Sequence, residues 1–222
     1  MRPAVKANRD QYYEYLLAYC DDLLSLSVDA MKTMLQIKDK FELKDDKIAV
    51  PEGYLGATLS TMQNNDGDDC WTQSSDKYLA ASVANVEAKL REAGRPGLPS
   101  AKQCRTPFIT NYRPELDTTA ELKLDGHRYF QELIGMLRWG IELGRLDILL
   151  EVSLLSSYLA CPREGHLEAA IHIFGYLKHH EKKKIAFDPS HPRINEKRFK
   201  NMTGLIFTET RERLSHQMRH HL

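Results

Sequence analysis

The sequence has no apolar run near the roughly 20 residues that a membrane-spanning helix needs, so nothing in it calls for a bilayer. The segment Met1-Arg2-Pro3-Ala4-Val5-Lys6 is not followed by the apolar stretch of a secretory signal. Cysteine is scarce. Cys20, Cys70, Cys104 and Cys161 stand alone at wide spacings, which excludes a CxxC pair and a dense disulfide framework and points to reduced thiols inside a cell. The pairs His179-His180 and His220-His221 lack a cysteine partner at zinc-finger spacing. Net charge is missing as well: 31 Lys and Arg balance 31 Asp and Glu, so total charge does not announce a polyanion partner. What remains is 222 residues, 42% hydrophobic and 28% charged, enough for one large domain or two small ones with a real core.

The sharpest local pattern lies near the start. Tyr12 to Tyr19 and Leu23 to Val28 are aromatic-rich and apolar runs of strand length, and the acidic pair Asp21-Asp22 between them suits a tight turn. A β-hairpin is expected. Asp29 is placed to cap a helix, with Met31, Met34, Leu35 and Phe41 on one face. The polar stretch Asn64 to Asp69 predicts a turn closing a second hairpin with Cys70-Trp71-Thr72-Gln73. Leu79, Val83, Val86 and Leu90 then repeat at helical spacing until Gly94 and Pro96 end the helix.

Residues 95–125, rich in Pro, Gly and polar side chains, read as a linker. Three amphipathic segments follow, marked by Phe130, Leu133, Ile134, Leu137 and Ile141; by Ile148, Val152, Leu155 and Leu159; and by Leu167, Ala170, Ile171, Phe174 and Leu177. Joined by short loops, they predict a helical bundle. Residues 193–222 show little periodicity and read as a poorly ordered tail.

Two adjacent carboxylates at a hairpin turn can hold a hard divalent cation against a phosphate chain, and a rigid hairpin fixes where they point. Asp is also a common turn residue for backbone reasons alone, and by spacing alone that plainer reading is the stronger. Asn64 to Asp69 invites a calcium loop, but its glycine is misplaced and no twelfth-position Glu follows. Trp71 and Trp139 read as core or rim residues before base-stacking platforms. The basic run Lys178, Lys182, Lys183 and Lys184 can meet a nucleic-acid backbone or simply solvate a helix end.

The order of motifs tips the balance. Tyr19-Cys20-Asp21-Asp22 resembles the Tyr-x-Asp-Asp box of reverse transcriptases, with Cys where valine is commonest. Tyr54-Leu55-Gly56 is similar to the aromatic-Leu-Gly strand that follows the box in the copia-type family, and Thr72-Gln73 with Lys77-Tyr78 to its Gln-x-x-Tyr helix start. Thr106-Pro107 comes next. Tyr129 to Leu137 resembles its Tyr-x-x-x-x-Gly-x-Leu helix, Arg145-Leu146-Asp147-Ile148 its Arg-Pro-Asp-Ile, and His166-Leu167-Glu168-Ala169-Ala170 its His-Trp-x-Ala-Ala. Tyr176-Leu177-Lys178 matches its Tyr-Leu-Lys.

The resemblance implies an α+β chain: a partial reverse-transcriptase palm of β-hairpins plus helices over residues 1–94, and a helical thumb or connection bundle over 126–192. It implies RNA-directed DNA polymerase chemistry, with Asp21 and Asp22 as the catalytic, metal-binding acids for Mg2+ or alternatively Mn2+. Tyr19, Cys20, Tyr54, Leu55 and Gly56 would touch the primer end, and Lys178, Lys182, Lys183 and Lys184 the nucleic-acid backbone. Its partners would be an RNA or DNA template-primer and deoxynucleotides, in the cytoplasm within a virus-like particle or in the nucleus.

Three departures matter. The third palm acid and the fingers do not fit in the 18 residues before Tyr19, so the chain is expected to need an N-terminal part of the same polyprotein and to be inactive alone. Asn195 to Leu222 has no recognisable ribonuclease H start, and Leu146 replaces the family's proline. The rival readings are a non-catalytic nucleic-acid-binding protein and a functionless relic.

Overall fold

The computed structural model describes residues 4–7, 12–20, 22–27, 29–43 and 48–187. The expectation for the tail, 193–222, therefore lies outside the described residues. Within them the chain is α+β, with two antiparallel sheets and a helical core.

The first sheet has the order β1 (Ala4–Ala7), β2 (Tyr12–Tyr19), β3 (Asp22–Leu26). Tyr19 pairs with Asp22, so the hairpin turn has two residues, and its first, Cys20, takes φ 50°. That positive φ suits the tight turns whose twist matches paired strands. α1 (Ala30–Lys38) begins as predicted, with Asp29 Oδ1 accepting from Lys32 N at 3.1 Å. Its expected apolar face is not covered: none of its residues is buried, Met31 and Leu35 are about half exposed, and Phe41 lies beyond the helix end.

The second sheet runs β4 (Gly53–Tyr54), β5 (Ala57–Gln63), β6 (Asp69–Ser74), β7 (Lys184–Phe187). The predicted β5–β6 hairpin is present, and Asn64 Oδ1 organises its turn by accepting from Asp66 N and Asp68 N. Tyr54-Leu55-Gly56 differs from the strand expected. Only Tyr54 is paired; Leu55 (φ 52°) and Gly56 (φ 88°) form the two-residue turn into β5. Two successive positive φ values are the signature of a type I′ turn, which Gly accepts freely and Leu only at a steric cost. β7 arrives from far along the chain and pairs with β6 from Trp71↔Phe187 to Ser74↔Lys184.

The core joins α2 (Asp76–Glu92), α3 (Leu124–Glu142), α4 (Leu149–Ser156) and α5 (Glu164–His179). Most of the apolar positions read from periodicity are buried: Val86, Phe130, Leu133, Leu137, Val152, Leu155 and Phe174 are almost completely enclosed, while Ile141 and Leu159 are partly buried. α5 is buried on nearly every side, since helices and loop surround it. α2 and α3 both end in a Schellman turn: Arg95 N bonds Leu90 O at 2.9 Å across Gly94, and Arg145 N bonds Gly140 O at 3.0 Å across Gly144.

The 95–125 stretch, expected as a linker, is a packed loop. Leu98, Phe108, Tyr112 and Leu122 lie against the core and Cys104 is fully buried within it. Its far end is tied to the start of α5 by Leu122 N to Pro162 O at 2.9 Å and by the Glu121↔Arg163 bridge. α2 shares this core with α3 and α5, so the helices after residue 125 do not form a bundle of their own.

Candidate functional site

The β2–β3 hairpin presents its turn to solvent. Tyr19 is 56% exposed, Cys20 is exposed, and Asp22 opens β3 as an exposed carboxylate. Asp21 lies outside the described residues. Asp22 stands where a cation could be approached, but no three His, Cys, Asp or Glu side chains converge among the described residues. Among the described residues the turn offers the single carboxylate of Asp22, which suits Mg2+ only when further oxygen ligands, substrate phosphates and water complete its shell.

The Leu55–Gly56 turn lies against the end of α3. A Cβ placed on Gly56 would stand 3.8 Å from Leu143 Cδ1 and 3.9 Å from Trp139 Nε1. Trp139 is 39% exposed, a rim residue as expected. No hydrogen bond or ion pair among the described residues ties this turn to the Tyr19–Asp22 hairpin.

α3 shows where the glycine of the Tyr129 to Leu137 motif lies. Gly135 sits mid-helix on the solvent side, and a Cβ there would meet nothing within 4 Å. Exposed glycine inside a helix costs about 1 kcal/mol relative to alanine. Gln131 and Trp139 lie one turn before and one turn after it, Arg138 is exposed three positions on, Arg128 is exposed two turns before, and Glu132, exposed three positions before, is paired with Lys89. The four-residue spacing Gln131, Gly135, Trp139 is the signal that would have found this face. Arginine, an exposed aromatic ring and bare backbone together suit a sugar-phosphate surface.

The basic run does not act as one patch. Lys178 Nζ bonds Glu87 Oε1 at 2.6 Å, linking α5 to α2. Lys183 Nζ bonds Asp147 Oδ2 at 3.0 Å and Tyr176 Oη at 2.6 Å. Asp147 also receives Arg145 Nε at 2.8 Å, Arg145 Nη2 at 3.0 Å and the Tyr176 hydroxyl at 2.9 Å. Burial opposes its charge, but hydrogen bonds from Arg145, Lys183 and Tyr176 outweigh burial and hold its carboxyl far below the usual range. Arg145 is itself 1% exposed, and its Nη1 has no partner among the described residues. Lys182 and Lys184 are exposed and pair with no described residue.

Over 167 residues, 73% of its length, the chain is 30% identical to a transposon Ty5-1 protein of Saccharomyces cerevisiae. This similarity suggests a transposon-derived origin. It spans about half the length of that curated relative, 48%. No family model matches the sequence. No solved structure matches it.

Proposed function

We propose that this chain is part of a copia-type retrotransposon reverse transcriptase, contributing the Tyr-x-Asp-Asp hairpin of the palm and the helical region behind it. The observation that carries the reading is Asp22 at an exposed, two-residue hairpin turn, inside a run of motifs in the family's order. The retrotransposon relative supports the same origin. Asp21 and Asp22 would hold Mg2+, whose chemistry would be to polarise the phosphate and the attacking primer oxygen.

In this reading the chain's own residues position nucleic acid. The Leu55–Gly56 turn and Trp139 meet at one surface, and Gln131, Gly135 and Arg138 extend it along α3. A polymerase site also needs an incoming-nucleotide pocket and a third acid, which an N-terminal part of the same polyprotein would supply.

The test is primer extension by this chain co-expressed with such an N-terminal part, on an RNA template with a DNA primer. Mg2+-dependent extension lost in both Asp21→Asn and Asp22→Asn is the expected result. Extension that survives either substitution contradicts the assignment of the acids. Salt-sensitive duplex binding with no extension by the assembled protein would favour a non-catalytic nucleic-acid-binding role.

A further inference from the structure

From the last turn of α5 to the first residue of β7, four lysines fall in a short span, Lys178, Lys182, Lys183 and Lys184, and their surroundings separate them. Lys183 N bonds Glu181 O at 3.0 Å, a tight turn centred on Lys182, and the strand itself begins at Lys184. Lys183 and Ile185 turn toward the helices: Lys183 reaches Asp147 and Tyr176, and Ile185 Cδ1 lies 3.2 Å from where a Cβ on Gly144 would stand. Lys182 and Lys184 are exposed and their side chains make no hydrogen bond or ion pair to a described residue.

We infer that the basic run divides into two pairs with different tasks: Lys178 and Lys183 fasten the fold, and Lys182 and Lys184 contact nucleic-acid phosphates. The second half rests on the nucleic-acid reading above; the first does not. Lys183 acts as a latch on β7. That strand has four residues and is bonded only to β6 among the described residues, so backbone pairing alone holds it weakly. Asp147 joins the turn after α3, the last part of α5 and the approach to β7 through one carboxylate. Arg145 already grips Asp147 with two bonds, so losing Lys183 leaves the carboxylate neutralised and releases the strand rather than the core.

Lys182 and Lys184 differ in kind. Neither is paired with an anion among the described residues. Each phosphate contact made by a lysine contributes about 1 to the slope of log affinity against log salt.

The experiment compares the full chain with Lys183→Met and with the double variant Lys182→Gln/Lys184→Gln. Affinity for a duplex oligonucleotide is measured by fluorescence anisotropy across a salt series, and amide exchange is followed over Ile185–Phe187. The double variant is expected to lower the salt slope by about 2 while β7 exchange stays at the wild-type rate. Lys183→Met is expected to speed β7 exchange several-fold and leave the slope unchanged. A slope that falls equally in both variants, or unchanged β7 exchange in Lys183→Met, overturns the division. If the wild-type chain binds no duplex, or binds only anionic lipid vesicles, the nucleic-acid reading falls together with the role given to Lys182 and Lys184. The exchange data decide the latch in either case.

Discussion

Gly175 on α5 makes room for Cys104: a Cβ on the glycine would stand 2.8 Å from Cys104 Sγ and 3.0 Å from Pro99 Cδ. The loop that sequence composition marks as a linker is seated on the helix through this absent side chain. Gly175→Ala should therefore destabilise the protein by roughly 1–2 kcal/mol, because overpacking outweighs alanine's better helix propensity. Urea unfolding followed by far-ultraviolet circular dichroism checks it. A more stable variant would mean that the loop is not seated there.

Gly135 supplies the opposite case on α3. With open space around it, Gly135→Ala should stabilise by about 0.5–1 kcal/mol. If the Gln131–Trp139 face meets nucleic acid, the same change should weaken duplex binding several-fold. Stability and affinity moving in opposite directions is the outcome expected; unchanged affinity would remove α3 from the interface.

His172 gives a pH dependence with a defined sign. Burial lowers its pKa from the ordinary 6.5, partly offset by the hydrogen bond of its Nε2 to Thr106 O at 3.1 Å. The unfolded chain then binds the proton more readily than the folded one. Stability from this site is complete above about pH 6.5 and declines as pH falls toward the depressed folded value. His172→Gln should flatten the thermal midpoint between pH 7 and pH 5. An unaltered slope would show that other groups, not the one beside Cys104, set the acid sensitivity.

The first sheet, α1 and the turn after it leave Tyr15, Tyr19, Leu26, Met31, Leu35 and Phe41 about half exposed or more. So much apolar surface should make the isolated chain self-associate at micromolar concentration. Sedimentation velocity checks this, and a single monomeric boundary across a tenfold concentration range would contradict it.

The helical core is legible from periodicity. Leu79 to Leu90 and Phe130 to Leu137 repeat at three and four residues because one face of each helix must be buried. The β2–β3 and β5–β6 hairpins are legible for the complementary reason, strand-like runs around turn-forming residues. The packed loop is hidden because Leu98, Cys104, Phe108, Tyr112 and Leu122 follow no period. β7 is hidden because its partner, β6, is remote in sequence and the strand has four residues. At the candidate site, Asp22 and the Tyr54–Gly56 segment stand out by motif order. The division among the lysines does not, since Glu87, Asp147 and Tyr176 meet them only after folding.

The polymerase reading stands or falls with Asp21 and Asp22 as a metal-binding pair at the tip of the β2–β3 hairpin. The most direct measurement is paramagnetic broadening of backbone amide signals during titration of the full chain with Mn2+. Selective loss of the Tyr19, Cys20 and Asp22 signals is predicted, competed by excess Mg2+ and absent in Asp21→Asn/Asp22→Asn. Broadening that spares this turn, or persists unchanged in the double variant, would contradict it.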